Sequence, residues 1–209
     1  MEGEVNKMLK MVLASGNQGK LTELKTMLAH LNIEVLSLAD YPEMPETVED
    51  GHSFESNAQK KAREAAEYTG LLALADDSGL EVDFLNGQPG VHSARFAGEP
   101  KDDAANNEKL LQLLKGLPWE KRTARFRCVI AICTPAGEMY TADGSCAGFI
   151  LEQSRGDGGF GYDPLFYVPQ YDKTFAELTM EEKNKISHRG IALKKAVQIL
   201  ERIKEGLIR

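Results

Sequence analysis

The stretch Ser15-Gly16-Asn17-Gln18-Gly19-Lys20 places two glycines, small polar side chains and a lysine directly behind the apolar run Met11 to Ala14. Small residues at such a point let backbone N–H groups approach an anion, the start of a following helix favours negative charge, and Lys20 adds a full cation. The spacing is not that of a P-loop: only Asn17 and Gln18 separate Gly16 from Gly19, and Leu21 rather than Ser or Thr follows the lysine. The same residues also read as an ordinary strand-to-helix turn.

A second group, Asp76-Asp77-Ser78-Gly79, ends the apolar stretch Leu71 to Ala75. Neighbouring side chains of a strand point to opposite faces, so one carboxylate faces any given site while the other caps or braces the loop. A carboxylate at a strand end can hold Mg²⁺ or orient a water; as a plain turn, the same residues are solvated acids. Glu49, in the acidic loop Glu46 to Asp50, offers a second metal ligand and reads equally as an exposed acid.

The third group is Gly156-Asp157-Gly158-Gly159-Phe160-Gly161-Tyr162-Asp163-Pro164, with Lys183-Asn184-Lys185-Ile186-Ser187-His188-Arg189-Gly190 downstream. Glycines around an aromatic can lay Phe160 against a planar base while backbone groups come close. The bland alternative is a mobile loop beside a basic helix start. Together the three groups divide the labour of triphosphate chemistry into an anion cradle, a carboxylate pair for a metal, and an aromatic with polar neighbours for a base.

The elements that must position these groups follow from period and punctuation. Leu21, Leu24, Leu28 and Leu31 recur at helical spacing, and Ile33 to Leu38 reads as a strand that can pair beside the first. Tyr41 to Asp50 is a loop. Ser53 is a plausible N-cap for a helix through Tyr68 that Gly70 stops. Leu71 to Ala75 and Leu80 to Phe84 read as strands on either side of the acidic pair, and Asn86 to Pro100 as a surface loop. Asp102 to Leu114 is helical. Arg125 to Thr134, the turn Pro135-Ala136-Gly137 and Glu138 to Thr141 make a hairpin, Ser145 to Leu151 a further strand, and Ile191 to Ile203 a closing amphipathic helix. Strands and helices mix without strict βαβ alternation, which predicts the α/β class: a mixed central sheet flanked by helices, in one domain over residues 1–209.

The 209 residues carry a net charge of -7, which excludes a protein that wraps nucleic acid, because neutralising many phosphates takes a broad excess of Lys and Arg. Three cysteines without zinc spacing read as reduced core thiols. The N-terminus has no apolar run of signal length, and no stretch approaches the roughly 20 apolar residues that span a bilayer, so a cytoplasmic location without membrane contact is expected. Residues 1–9 read as an N-terminal extension.

In order along the chain, Ser15 to Lys20, Asn57-Ala58 with Lys61-Ala62, Ala75 to Leu80, Gly159 to Pro164 and Ser187 to Gly190 closely resemble the inosine/xanthosine triphosphate pyrophosphatase family. The resemblance runs from about Met11 to the last helix. It implies hydrolysis of the deaminated purine nucleotides ITP, dITP and XTP to the monophosphate and pyrophosphate, a Mg²⁺ cofactor, a homodimer, and two lobes with the active-site cleft between them. It further implies that Ser15, Gly16, Asn17, Gln18, Gly19, Lys20 and Lys61 contact the triphosphate, that Ser78 approaches substrate, and that Glu49 and Asp77 hold metal, Asp77 in the catalytic position. Phe160, Gly161, Tyr162, Asp163, Lys183, His188 and Arg189 correspond to the base and nucleotide pocket.

On that resemblance, a water attacks the α-phosphorus with Asp77 as candidate base, and the pyrophosphate leaves toward metal, Lys20 and Lys61. Hypoxanthine and xanthine present an oxygen acceptor where adenine presents an amino donor, so donors from Lys183, Arg189 or backbone N–H groups would be satisfied by the former alone. Unpaired buried groups of this kind can reject the wrong partner by roughly 10⁴. A non-catalytic nucleotide sensor and a pyrophosphatase for modified pyrimidine triphosphates are the alternative readings.

Overall fold

The structure, a computed structural model, describes residues 8–206 and 208; most of the expected N-terminal extension and the side chain of Gln18 lie outside that description. The apolar run Leu9–Leu13 (β1) pairs in parallel with Ile33–Ser37 (β2), Leu9 opposite Ile33 and Leu13 opposite Ser37. On its other side β1 pairs in parallel with Leu72–Val82 (β3), Met11 opposite Leu72. Parallel strands inside an α/β sheet have helices over both faces, and Met11, Val12 and Leu13 are fully buried.

The sheet continues through Thr123–Cys133 (β4) and Met139–Ile150 (β5) to the short strands Phe166–Val168 (β6) and Lys173–Thr174 (β7). Its order is β2-β1-β3-β4-β5-β6-β7. The β5·β6 and β6·β7 pairs are antiparallel, so the seven-stranded sheet is mixed, as the sequence predicts.

Each helix begins where a side chain can satisfy its orphan N–H groups. Asn17 accepts from Lys20 N at the start of Gln18–Leu28 (α1), and Ser53 from Ser56 N ahead of Phe54–Thr69 (α2). Asp102 accepts from Ala105 N before Asp103–Leu113 (α3), and Thr179 from Glu182 N before Met180–Ile186 (α4). Ser187 Oγ accepts from Gly190 N at the start of His188–Lys204 (α5). Gly70 ends α2 in the left-handed region at φ 65°, its N–H on Ala66 O.

The described residues form two compact units, one drawn from 8–76, 130–142 and 193–208, the other of 77–129 and 143–192. In the first, Leu21, Leu24 and Leu28 of α1 and Ala58, Ala62, Ala65 and Ala66 of α2 are buried, which is the face that their helical spacing marks. In the second, Leu80, Val82, Leu110, Leu114, Ile150 and Leu165 surround the rings of Phe126, Phe166 and Phe175. Arg122 lies in this apolar surrounding, 2% exposed. It donates to three carbonyls, Ile150 O at 2.6 Å, Leu114 O at 2.7 Å and Leu151 O at 2.8 Å, so each nitrogen of the guanidinium has a partner.

The sequence reading differs from the structure in several places. The acidic pair does not interrupt a strand: β3 runs unbroken through Asp76-Asp77-Ser78-Gly79, and both carboxylates are buried, so a turn of solvated acids is excluded. The two strands expected over 138–151 are one, β5. Strands β6 and β7 and helix α4 are too short for periodicity to reveal. The Gly-rich stretch after residue 86 contains a 3₁₀ turn at Gly90–Arg95 with Ser93 buried, because Ser93 Oγ accepts Leu80 N at 2.9 Å. Helix α5 starts at His188, three residues earlier than its apolar period suggests, since Ser187 caps it.

Candidate functional site

In the first unit, β1 delivers the chain to Ser15 and Gly16, and Asn17 then turns it into α1 by capping Lys20 N at 3.1 Å. Asn17 N in turn donates to Ser15 Oγ at 3.3 Å. This loop therefore sits at the carboxyl end of a parallel strand, where open α/β sheets bind ligands. The Lys20 ammonium lies 3.0 Å from Asp76 Oδ2, with the Asp76 side chain wholly inaccessible.

Lys61, on α2, reaches the same residue by another atom: its ammonium donates to Asp76 O at 2.7 Å and to Glu49 Oε1 at 2.8 Å. The acidic loop that carries Glu49 is fastened to α2 by further bonds. Lys60 Nζ donates to Val48 O and to Asp50 Oδ1, both at 2.8 Å, and Gly51 N donates to Asn57 Oδ1 at 2.8 Å. The Lys60 ammonium holds the exposed Asp50 carboxyl below its ordinary pKa. Lys20, Glu49, Lys61 and Asp76 are thus brought together. Asp76 is the residue whose weight the sequence undervalues: read as a brace, it is the anchor of two lysines.

Asp77 opens the second unit, 6% exposed, with Oδ1 accepting the N–H of Ser78 at 3.0 Å. Ser78 Oγ in turn accepts from the Arg189 guanidinium at 3.0 Å, across 111 residues of sequence. Arg189 stands in the first turn of α5, and its Cζ lies 5.6 Å from the centroid of the Phe160 ring. The Lys183 ammonium, from α4, lies 4.9 Å from the same centroid. Two cations this close to one aromatic ring are attracted to its π face.

Asp163 holds the Gly-rich loop in place. Its Oδ2 accepts Phe160 N at 2.9 Å and Lys183 Nζ at 2.8 Å, in an ion pair whose side chains are 4% and 5% exposed. Gly159, at φ 74°, passes so close to the Asp163 carboxylate that a side chain there would collide with it. His188 and Tyr162 sit deeper. The His188 ring stacks on Phe126 at 4.7 Å and faces Phe175 at 6.2 Å, while the Tyr162 hydroxyl donates to Ser93 O at 2.8 Å. Burial pushes the Tyr162 phenol up, so it remains a donor at neutral pH.

Two residues on α3 join this group without any motif to announce them. Asp103 and Asn107 meet Gly161, more than fifty positions away, and only their spacing of four on a helix hinted that they share a face. Glu49 belongs to the first unit and Asp77 to the second. Among the described residues no three His, Cys, Asp or Glu side chains gather into one cluster, and no helix is long and apolar enough to cross a membrane.

Comparison with known proteins places this geometry in context. The sequence model of the Ham1 family matches residues 11–199. A dITP/XTP pyrophosphatase of Desulforamulus reducens is 63% identical over 93% of this chain and 97% of its own length. A second, from Geobacter sulfurreducens, is 56% identical over 89% of this chain and 94% of its own. The solved structure of a HAM1 protein from Coxiella burnetii, 44% identical, superposes with a TM-score of 0.85 over 93% of this chain and all of the other.

Proposed function

We propose, since the chain belongs to the Ham1 family, that it hydrolyses the deaminated purine nucleoside triphosphates ITP, dITP and XTP to the monophosphate and pyrophosphate. The observation that carries this is the attachment of two lysines to one residue: Lys20 Nζ at 3.0 Å from the Asp76 carboxylate and Lys61 Nζ at 2.7 Å from the Asp76 carbonyl. Preorganised, partly desolvated ammonium groups are what stabilises charge developing on a polyphosphate leaving group. The names of the relatives from Desulforamulus reducens and Geobacter sulfurreducens support deaminated purines as the substrate class.

In this reading Ser15, Gly16, Asn17, Gln18, Gly19, Lys20 and Lys61 hold the triphosphate, and Ser78 approaches it. Phe160 and Gly161 meet the base, Lys183 and Arg189 donate toward its 6-oxygen, and Tyr162, Asp163 and His188 support them from beneath. Adenine, with an amino group at that position, leaves those donors unmatched. The Asp77 carboxylate, oriented by the Ser78 N–H on Oδ1, takes the proton from the water that attacks the α-phosphorus.

In this reading Glu49 and Asp77 are the residues that would hold a hard divalent cation. Both offer carboxylate oxygens, and Mg²⁺ takes one or two of these with substrate phosphates and water completing its shell, so a protein cage is not required. Bound there, the ion supplies charge neutralisation at the phosphates and a more acidic water. The whole chain acts as one catalytic domain, in the cytoplasm and as a homodimer.

Product analysis with a panel of nucleoside triphosphates and Mg²⁺ tests the reading. Pyrophosphate release from ITP, dITP and XTP well above that from ATP and GTP is expected. Orthophosphate as the product, or a preference for ATP, overturns it.

A further inference from the structure

The Gly-rich loop is held from outside by α3. Gly161 N donates to Asp103 Oδ2 at 2.7 Å, and Gly161 O accepts from Asn107 Nδ2 at 2.9 Å, so one helix face grips both backbone groups of a single glycine. The geometry of the grip bears directly on Phe160. Peptide units are planar, so the orientation of the planes before and after a residue fixes its φ and ψ and the direction of its side chain. The plane before Phe160 is held by its N–H on Asp163 Oδ2 at 2.9 Å, and the plane after it by Gly161 N–H on Asp103. Gly161 itself takes φ 61°, a conformation that costs other residues strain, so the clamp closes on a point where the chain can turn.

The same helix fastens a second loop. Asn106 accepts Ala97 N at 2.7 Å and donates to Ala94 O at 3.1 Å, so α3 is anchored to its surroundings independently of Gly161. Asp103 is exposed, and Asn107 Oδ1 is buried with no hydrogen-bond partner among the described residues. A surface carboxylate and a half-matched amide contribute little to folding stability. What they do hold is the backbone of Gly161, the residue after the aromatic Phe160.

We infer that Asp103 and Asn107 are positioning residues for base selection: they set the angle of Phe160 against the purine and so control discrimination between 6-oxo and 6-amino bases. This rests on the enzymatic reading above. The charge-assisted bond from Gly161 to Asp103 is the stronger of the two.

The test compares Asp103→Ala, Asn107→Leu, the double variant and the conservative Asp103→Asn, whose amide oxygen still accepts. Pyrophosphate release from ITP and ATP is measured alongside amide hydrogen exchange over residues 156–163. Loss of a hydrogen bond to a charged group is worth about tenfold, so for Asp103→Ala the KM for ITP is expected to rise about tenfold with kcat within about twofold. The preference for ITP over ATP should narrow, exchange at Gly161 should quicken, Tm should hold, and Asp103→Asn should restore most of the wild-type behaviour. Equal losses on ITP and ATP, or unchanged exchange at Gly161, overturn the inference. Should the wild type release no pyrophosphate at all, the enzymatic reading falls separately, and calorimetric binding of IMP against AMP to the same variants decides the clamp: an unaltered ratio overturns it, a narrowed one supports it.

Discussion

The two units solve different recognition problems with different kinds of fastening. In the first, each ammonium is placed by one or two bonds: Lys20 by Asp76, Lys61 by Asp76 and Glu49. In the second, a loop is held at successive backbone groups, by Asp163, Asp103 and Asn107, and its aromatic ring is flanked by two further cations. A phosphate chain is recognised by charge, and an ammonium is nearly a point charge, so position alone suffices. A purine is a plane. Recognising it takes an angle as well as a position, and angles need more than one attachment.

Asp77, the first residue of the second unit, is where that contrast can be broken most sharply. Asp77→Asn removes a proton acceptor of the kind that contributes typically 10²–10⁴-fold, so kcat should fall about 10³-fold. Substrate affinity measured by calorimetry should stay close to wild type; a protein that merely senses nucleotide would have no turnover to lose. A smaller but more discriminating effect comes from substituting one cation in each unit. Lys20→Met should lower kcat/KM about 10²-fold on ITP and ATP alike, since the phosphates are common to both. Lys183→Met should lower the ITP rate more than the ATP rate. It also strands the buried Asp163 carboxylate, at a cost of about 3–5 kcal/mol in urea unfolding. Identical selectivity in the two variants would erase the distinction between the units.

The mildest test uses two glycines with the same backbone conformation. Gly70, at φ 65°, ends α2, and Gly161, at φ 61°, turns the aromatic loop; neither has a neighbour that a methyl group would strike. Replacing each by Ala should cost about 1 kcal/mol from left-handed strain alone. Only Gly161→Ala should alter the ratio of ITP to ATP hydrolysis, read from initial rates.

Most of the fold was legible where sequence signals are local. Apolar runs gave β1 and β2, and Ser53 and Gly70 bounded α2 to within a residue. Strand β3 reads as two in the sequence because an acidic pair followed by serine and glycine looks like a turn. Lys20 supplies a counter-charge to the buried Asp76 carboxylate and Lys61 a donor to the Asp76 carbonyl, and those pairings are tertiary. The same holds for the site. Phe160 and Lys20 stand out in their own stretches, whereas Arg122 as a core residue and Asp103 as a clamp depend on partners 28 and 58 positions away. Composition carries no trace of such distances.

Helix α3 has one more consequence, for how the protein can change over generations. Asp103, Asn106 and Asn107 do their work only because they project at fixed angles, and one added or lost residue between them would rotate the face by about 100°. Point changes at exposed Glu108 or Gln112 leave that arrangement intact. Length is therefore the heritable constraint on α3: drift can rewrite its outer surface, while insertions and deletions would unfasten both loops at once.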